Sequence, residues 1–352
     1  TIRTITLSLQ KVHFGLYFIP VHLILIPMKK HTLFANTLLQ TLRIEELIGI
    51  VLITFTIIFA SYANLYLMMN GSNASQNVAV NFLRIFTSGL LTFLFCRSIL
   101  YHTSNKVFQF VRDFLPVLFV LIIYYNLQDA IFILNPRDIH HTLINLDGKL
   151  FGIQPTVWAE RFYHPRLTDW FSFTYLNYYF MTLILLGLLY LKQRYDDFRV
   201  IVATIMIGYF IGFISYIIFP ASSPFLVIPE AYEVDIWKDT SFFSWLTYTI
   251  VDLSPHRVRD AFPSMHNAIV LLTLILAWGY HRTYFWIQLP LAISLPFATV
   301  YLRYHYVVDI IGAIPVIALA LYLTPRLVLR WRQFQDKNTS LEDNLGESGV
   351  NF

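Results

Sequence analysis

Repeated apolar runs, each about as long as a bilayer's hydrocarbon core is thick, constrain this chain most. They fall at roughly 46–69, 81–101, 108–134, 170–191, 199–219, 263–280, 284–302 and 305–325. About 20 helical residues cross a ~30 Å hydrocarbon core. The runs predict an all-α multi-span membrane protein built as a helix bundle. Composition agrees: of 352 residues, 57% are hydrophobic and 13% charged, against about 25% charged in soluble chains.

A shorter apolar stretch, 12–27, is interrupted by Pro20. It crosses, re-enters or lies in the interface. The net charge of +4 does not point to nucleic acid, because the basic residues are scattered between spans, a pattern of membrane topology. The single cysteine, Cys96, excludes an intramolecular disulfide framework and a zinc–cysteine cluster. The expected organisation is N-terminal transmembrane helices over 1–134, a transmembrane core with long loops 135–169 and 220–262 over 135–332, and a disordered cytoplasmic tail over 333–352.

Loop charge orients the bundle. Segments 28–45, 102–112, 192–199, 281–283 and the C-terminal tail hold more of the Lys and Arg, over shorter connections, than the opposite face. The positive-inside rule makes that set cytoplasmic. The other face then looks onto a lumen, periplasm or cell exterior, as in a Golgi-type or bacterial inner membrane. Two connections on that outer face, 135–169 and 220–262, mix Trp, Phe and Tyr with charge, Pro and Gly. This composition suits interfacial helices covering a site at the bilayer surface.

The outer face also carries the chemistry. "RDAFPSMHNAIVLL" at 259–272 places His266 at the mouth of a span, and "VYLRYHYVVDIIGAIPV" at 300–316 contains His305 and Asp309. The histidines are 39 residues apart. One crossing and one return use about that many, so His305 comes back to the depth of His266. Asp309 follows His305 by four positions, one face of a helix. It can accept from one ring nitrogen, fix the tautomer and leave the other nitrogen as nucleophile or base. An ionisable residue in an apolar helix is itself a functional signal.

Pro263 is suited to the first position of a helix. The first-turn N–H groups, with the Ser264 hydroxyl, then make an anion site. Arg257, Arg259 and Arg303 are nearby guanidinium forks for a phosphoryl group. Asp129, at the end of an apolar span, and Asp147 orient the outer loop or bind substrate hydroxyls. His140, His141 and His164 lie in an outer loop without metal-ligand spacing, and no metal or cofactor is expected. "NGS" and "NAS" at 70–75 are glycosylation sequons on the predicted outer face.

This arrangement resembles the type-2 phosphatidic acid phosphatase superfamily. "PSMH" at 263–266 looks like its second signature, and "HYVVD" at 305–309 ends like its third. The resemblance implies a six-helix catalytic core, here with extra N-terminal helices and interfacial outer-loop helices. It also implies His305 as the nucleophile of a phosphohistidine, Asp309 as its orienting carboxylate and His266 as general acid. The chain departs from the pattern in two places. No Arg-Pro occurs, so the first signature is absent, and Ala298–Thr299 stand where the third signature opens with Ser-Arg. "FPSMH", "HYVVD", "FPASSP" at 219–224 and "LDGKLFGIQP" at 146–155 resemble the inositol phosphorylceramide synthase branch more than the broad-specificity phosphatases. The implied activity moves a phospho-headgroup, phosphoinositol from phosphatidylinositol, to a lipid alcohol such as ceramide. The implied partners are a membrane phospholipid donor and a lipid alcohol acceptor, with no nucleic acid. The rival with the same triad is a lipid phosphate or polyprenyl-pyrophosphate phosphatase. A rival of another class is a transporter or scaffold whose buried His–Asp pair carries protons or packs helices.

Overall fold

The computed structural model describes residues 42–69, 87, 89–90, 105–239, 241–252 and 259–348. Segment 12–27, the sequons at 70–75, most of the span expected at 81–101 and Arg257 lie outside them. The residues sort into two units, 43–334 and a second made of 1–42 with 335–352. The first unit holds the helical bundle, apart from the end of its last helix.

All regular structure among the described residues is helical. The helices are α1 (Ile44–Met69), α2 (Lys106–Leu134), α3 (His140–Phe151), α4 (Pro165–Leu191), α5 (Tyr195–Ile218), α6 (Phe242–Asp252), α7 (Met265–Tyr280), α8 (Arg282–Tyr301) and α9 (Val307–Ser348). Of these, α4, α5, α8 and Val307–Lys337 of α9 are long and apolar enough to cross a membrane, and α7 is a shorter apolar helix. The protein is an all-α integral membrane bundle. Backbone N–H and C=O groups have no water to turn to in lipid, so each span satisfies them internally.

Local chemistry sets the ends. Asn105 caps α2 by accepting from the Val107 N–H at 2.9 Å. Pro165 starts α4 behind the capping His164 side chain, and Gly152 ends α3 in the left-handed conformation (φ 71°). The polar segment from Gln333, expected to be disordered, continues α9 as helix to Ser348. A helix nucleated by the preceding span extends cheaply through Gln, Lys, Leu and Glu.

The main core lies where α2, α4, α5, α7, α8 and α9 meet, around Met181, Leu185, Leu189, Ile201, Ile269 and Ala313. Glycines let α7 and its leading loop approach. A Cβ at Gly208 would meet Leu272 at 3.2 Å, and one at Gly212 would overlap the Met265 side chain. This is the small-residue contact that membrane helices use in place of a hydrophobic drive. Gly312 on α9 makes the same room for the Phe262 ring.

The two long connections, 135–169 and 220–262, hold helices, as their composition suggested. The first holds α3 and the single turns Pro155–Trp158 and Ala159–Phe162; the second holds Pro224–Val227, Pro229–Ala231 and α6. Leu146, Leu150, Phe151, Trp158, Phe242 and Trp245 stay exposed on them. Leu143 packs inward with Ala221, Ala261, Tyr306 and Val308, directly beneath the histidine motif.

Candidate active site

The stretch 261–267 reaches α7 by a cap rather than a proline start. The helix begins at Met265, so Pro263 lies before it, not at its first position. Ser264 is the N-cap, and its Oγ accepts from the Asn267 N–H at 3.4 Å and from Asn267 Nδ2 at 2.9 Å. The Ser264 N–H donates to the Asp309 carbonyl at 3.0 Å. The second half of the site comes from the turn between α8 and α9. Tyr304 and His305 N–H groups both donate to the Thr299 carbonyl, at 2.9 and 3.1 Å. Thr299 Oγ1 accepts from Asn267 Nδ2 at 3.1 Å. The two motifs therefore share one hydrogen-bonded frame, and Thr299 uses both its oxygens to tie it.

His305 sits before α9, not within it. Its contact with Asp309 is therefore made at a helix start instead of along a helical face. Asp309 Oδ2 accepts from the Tyr306 N–H at 2.8 Å and lies 3.2 Å from His305 Nδ1. The same Nδ1 is 2.9 Å from the Ala261 carbonyl. A carbonyl oxygen only accepts, so Nδ1 carries the hydrogen and the Nε2 lone pair is available. His266 Nδ1 lies 3.0 Å from that Nε2, and it must be the donor of this bond when both rings are neutral. The rings meet edge to face with centroids 5.2 Å apart. Tyr175 and Tyr178 flank His266 at 4.8 and 4.6 Å. His305, Asp309, Ser264 and Asn267 are buried.

Two further expected phosphate ligands, Arg303 and Arg259, make ion pairs. Arg303 adopts φ 66°, a left-handed conformation costing a non-glycine residue roughly 1–2 kcal/mol. Its guanidinium reaches Glu160 and the Val234 carbonyl, both at 2.6 Å, and stacks over Tyr232. Glu160 also accepts from the Glu233 and Val234 N–H groups. Arg303 thus joins the two long connections to the histidine turn. Burial holds its guanidinium below its ordinary value, against the pull of Glu160. Arg259 donates to the Asn135 and Pro136 carbonyls and lies 3.6 Å from Asp138.

Asp147 is fully buried, and its two carboxylate oxygens accept from Val307 and Val308 N–H at 2.9 and 3.0 Å. It caps α9 from a different element, where a carboxylate also suits the helix dipole. Burial raises its pKa while these two bonds lower it. Asp129 lies on α2, and its side chain is outside the described residues. His140 pairs with Asp138 at 2.6 Å, and His164 caps α4. Among the described residues no three His, Cys, Asp or Glu side chains converge as a metal site.

Sequence reasoning missed Glu160, the Tyr175–Tyr178 flank and the Ala261 carbonyl. Only Gly212 left a readable trace, as the second glycine of "GYFIG" at 208–212.

Residues 141–323, just over half of the chain, match the description "PAP2 superfamily". The chain belongs to the PAP2 superfamily. The paired histidines and Asp309 lie in the matched stretch. A PA-phosphatase related-family protein of Dictyostelium discoideum is 32% identical over 111 residues, 31% of this chain. The match spans 20% of that relative's length. No solved structure matches this PAP2 protein.

Proposed function

We propose that the protein is a membrane lipid phosphotransferase. It moves a phospho-headgroup, phosphoinositol from phosphatidylinositol, to a lipid alcohol such as ceramide on the outer face of its membrane. The observation that carries this reading is the His266–His305 contact, in which the Ala261 carbonyl and Asp309 direct the His305 Nε2 lone pair at His266. A phosphate that enters by opening the His266–His305 bond meets a nucleophile at His305 Nε2 and a proton donor at His266 Nδ1. His305 Nε2 attacks phosphorus, the bond to the diacylglycerol oxygen breaks, and the His266 Nδ1 proton goes to that oxygen. The headgroup phosphate is then carried on His305. The acceptor hydroxyl gives its proton to His266 and attacks phosphorus, and the N–P bond breaks.

The fate of the arginines favours a diester donor. Arg259 and Arg303, the described arginines nearest in sequence to the histidines, are both set against carboxylates. A singly charged phosphodiester asks for less cationic compensation than a doubly charged monoester. The rival, hydrolysis of a lipid phosphate or polyprenyl pyrophosphate, draws support from the name of the Dictyostelium relative. Purified protein incubated with labelled phosphatidylinositol and ceramide separates the two. Headgroup-bearing ceramide by mass spectrometry is the expected product; free inorganic phosphate or inositol phosphate alone would overturn the transferase reading.

A further inference from the structure

A cavity of about 320 Å³ opens beside His266, among α2, α4, α5 and α7. Its wall includes Val120, Leu183, Leu186, Val202, Phe213 and His266. The polar groups along this wall are largely satisfied by one another. Tyr178 and Tyr209 hydroxyls bond at 2.8 Å, Thr182 bonds Thr273 at 2.8 Å, and Tyr124 donates to Asp260 at 2.6 Å.

The shape is specific. On α5 the wall runs from Phe213 down to Val202, about 16 Å at the helical rise. Along that length the lining is mostly apolar and aromatic, the kind of wall an alkyl chain fits. One turn beyond Val117 and Val202 of the cavity wall, α2, α4 and α5 meet through the rings of Phe110, Phe114, Tyr190 and Phe198. Toward the outside, Tyr124 on α2 and Phe180 and Leu183 on α4 line it and remain exposed on the bundle's flank, where lipid lies.

We infer that this cavity binds one alkyl chain of the lipid alcohol whose oxygen His266 protonates or deprotonates, and that its depth selects chain length. The chain lies along α5, and the alcohol end stops at His266. Because departing and arriving alcohols exchange a proton with the same imidazole, both thread the same channel in turn. The inference rests on the proposed acid–base role of His266, but it holds whether the acceptor is a lipid or water.

Val202→Phe and Val120→Phe, on opposite walls, shorten the channel. Expected is an at least about tenfold loss of kcat/KM for palmitoyl substrates, with hexanoyl substrates within about twofold of the parent. Equal losses for both chain lengths, or no loss for either, in protein that elutes and melts like the parent overturns the inference. Overpacking can also unfold a bundle, so a second measurement uses the unaltered protein. A phosphatidylinositol with a diazirine at its chain end should cross-link to Val117, Val120 or Val202. Cross-links confined to bilayer-facing Phe297 or Ile314 overturn it. If the parent releases only free phosphate yet keeps the chain-length dependence, the transferase reading fails and the channel stands.

Discussion

His305 is held at Nδ1 by two acceptors, and this changes what each neighbour is worth. In a histidine oriented by a carboxylate alone, an amide in its place scrambles the tautomer and costs about 10⁴ in rate. Here the Ala261 carbonyl keeps the hydrogen on Nδ1 without Asp309. Asp309→Asn should therefore lower kcat only about 10–100-fold, while His305→Ala abolishes turnover and His266→Ala costs about 10²–10⁴. Steady-state rates on one lipid donor rank the three; equal loss in Asp309→Asn and His305→Ala would contradict the double-acceptor account. The histidines and Asp309 were legible because chain spacing alone, one crossing and back, returns them to one level. Arg303 was misplaced for the same kind of reason. Its partner Glu160 lies 143 positions away, in a loop whose path no periodicity announces.

At the scale of elements, the site depends on helices that carry no catalytic group. α3 presents Leu146 and Leu150 outward and Leu143 and Asp147 inward, so one interfacial helix caps the helix that follows His305. Asp147→Ala leaves two buried N–H groups without acceptors, each worth about 1–3 kcal/mol. It should lower the melting temperature and the turnover together, and Asp147→Asn, which keeps one acceptor, should fall between. α7 owes its position to Gly212. Gly212→Val should push Met265 and the adjacent His266 out of register and sharply reduce activity, whereas Gly279→Ala, with nothing within 4 Å of the added carbon, should be neutral or stabilising by up to about 1 kcal/mol. Thermal melts and lipid turnover on the pair check this. Element existence was readable from apolar length. The α7 cap was not, because Pro263 is a good helix opener by local preference and loses only to the Ser264 N–H bond with Asp309, a tertiary contact.

For the whole molecule, charge bias gives a direction that packing does not. The two long connections pack against the histidine turn, and more of the Lys and Arg lie in the shorter connections and the C-terminal segment. In a Cys96→Ser background, Ser72→Cys should label from the outer face and Asn338→Cys only after permeabilisation; reversed accessibility would invert the proposed topology. The bundle was legible from composition, and the long aromatic connections were legible as more than simple linkers, since they hold helices. The tail was not, since polar residues that look disordered in isolation continue a helix already begun.

The frame joining the two histidine segments is built from groups other than the imidazoles: Ser264 N–H to the Asp309 carbonyl, and Asn267 Nδ2 to Thr299 Oγ1. Removing the His305 imidazole therefore leaves the cradle standing. His305→Ala protein should behave as a dead-end receptor, able to hold its donor lipid but not consume it. Lipids extracted from that variant after purification from its own membrane then name the natural donor without any prior guess at a substrate.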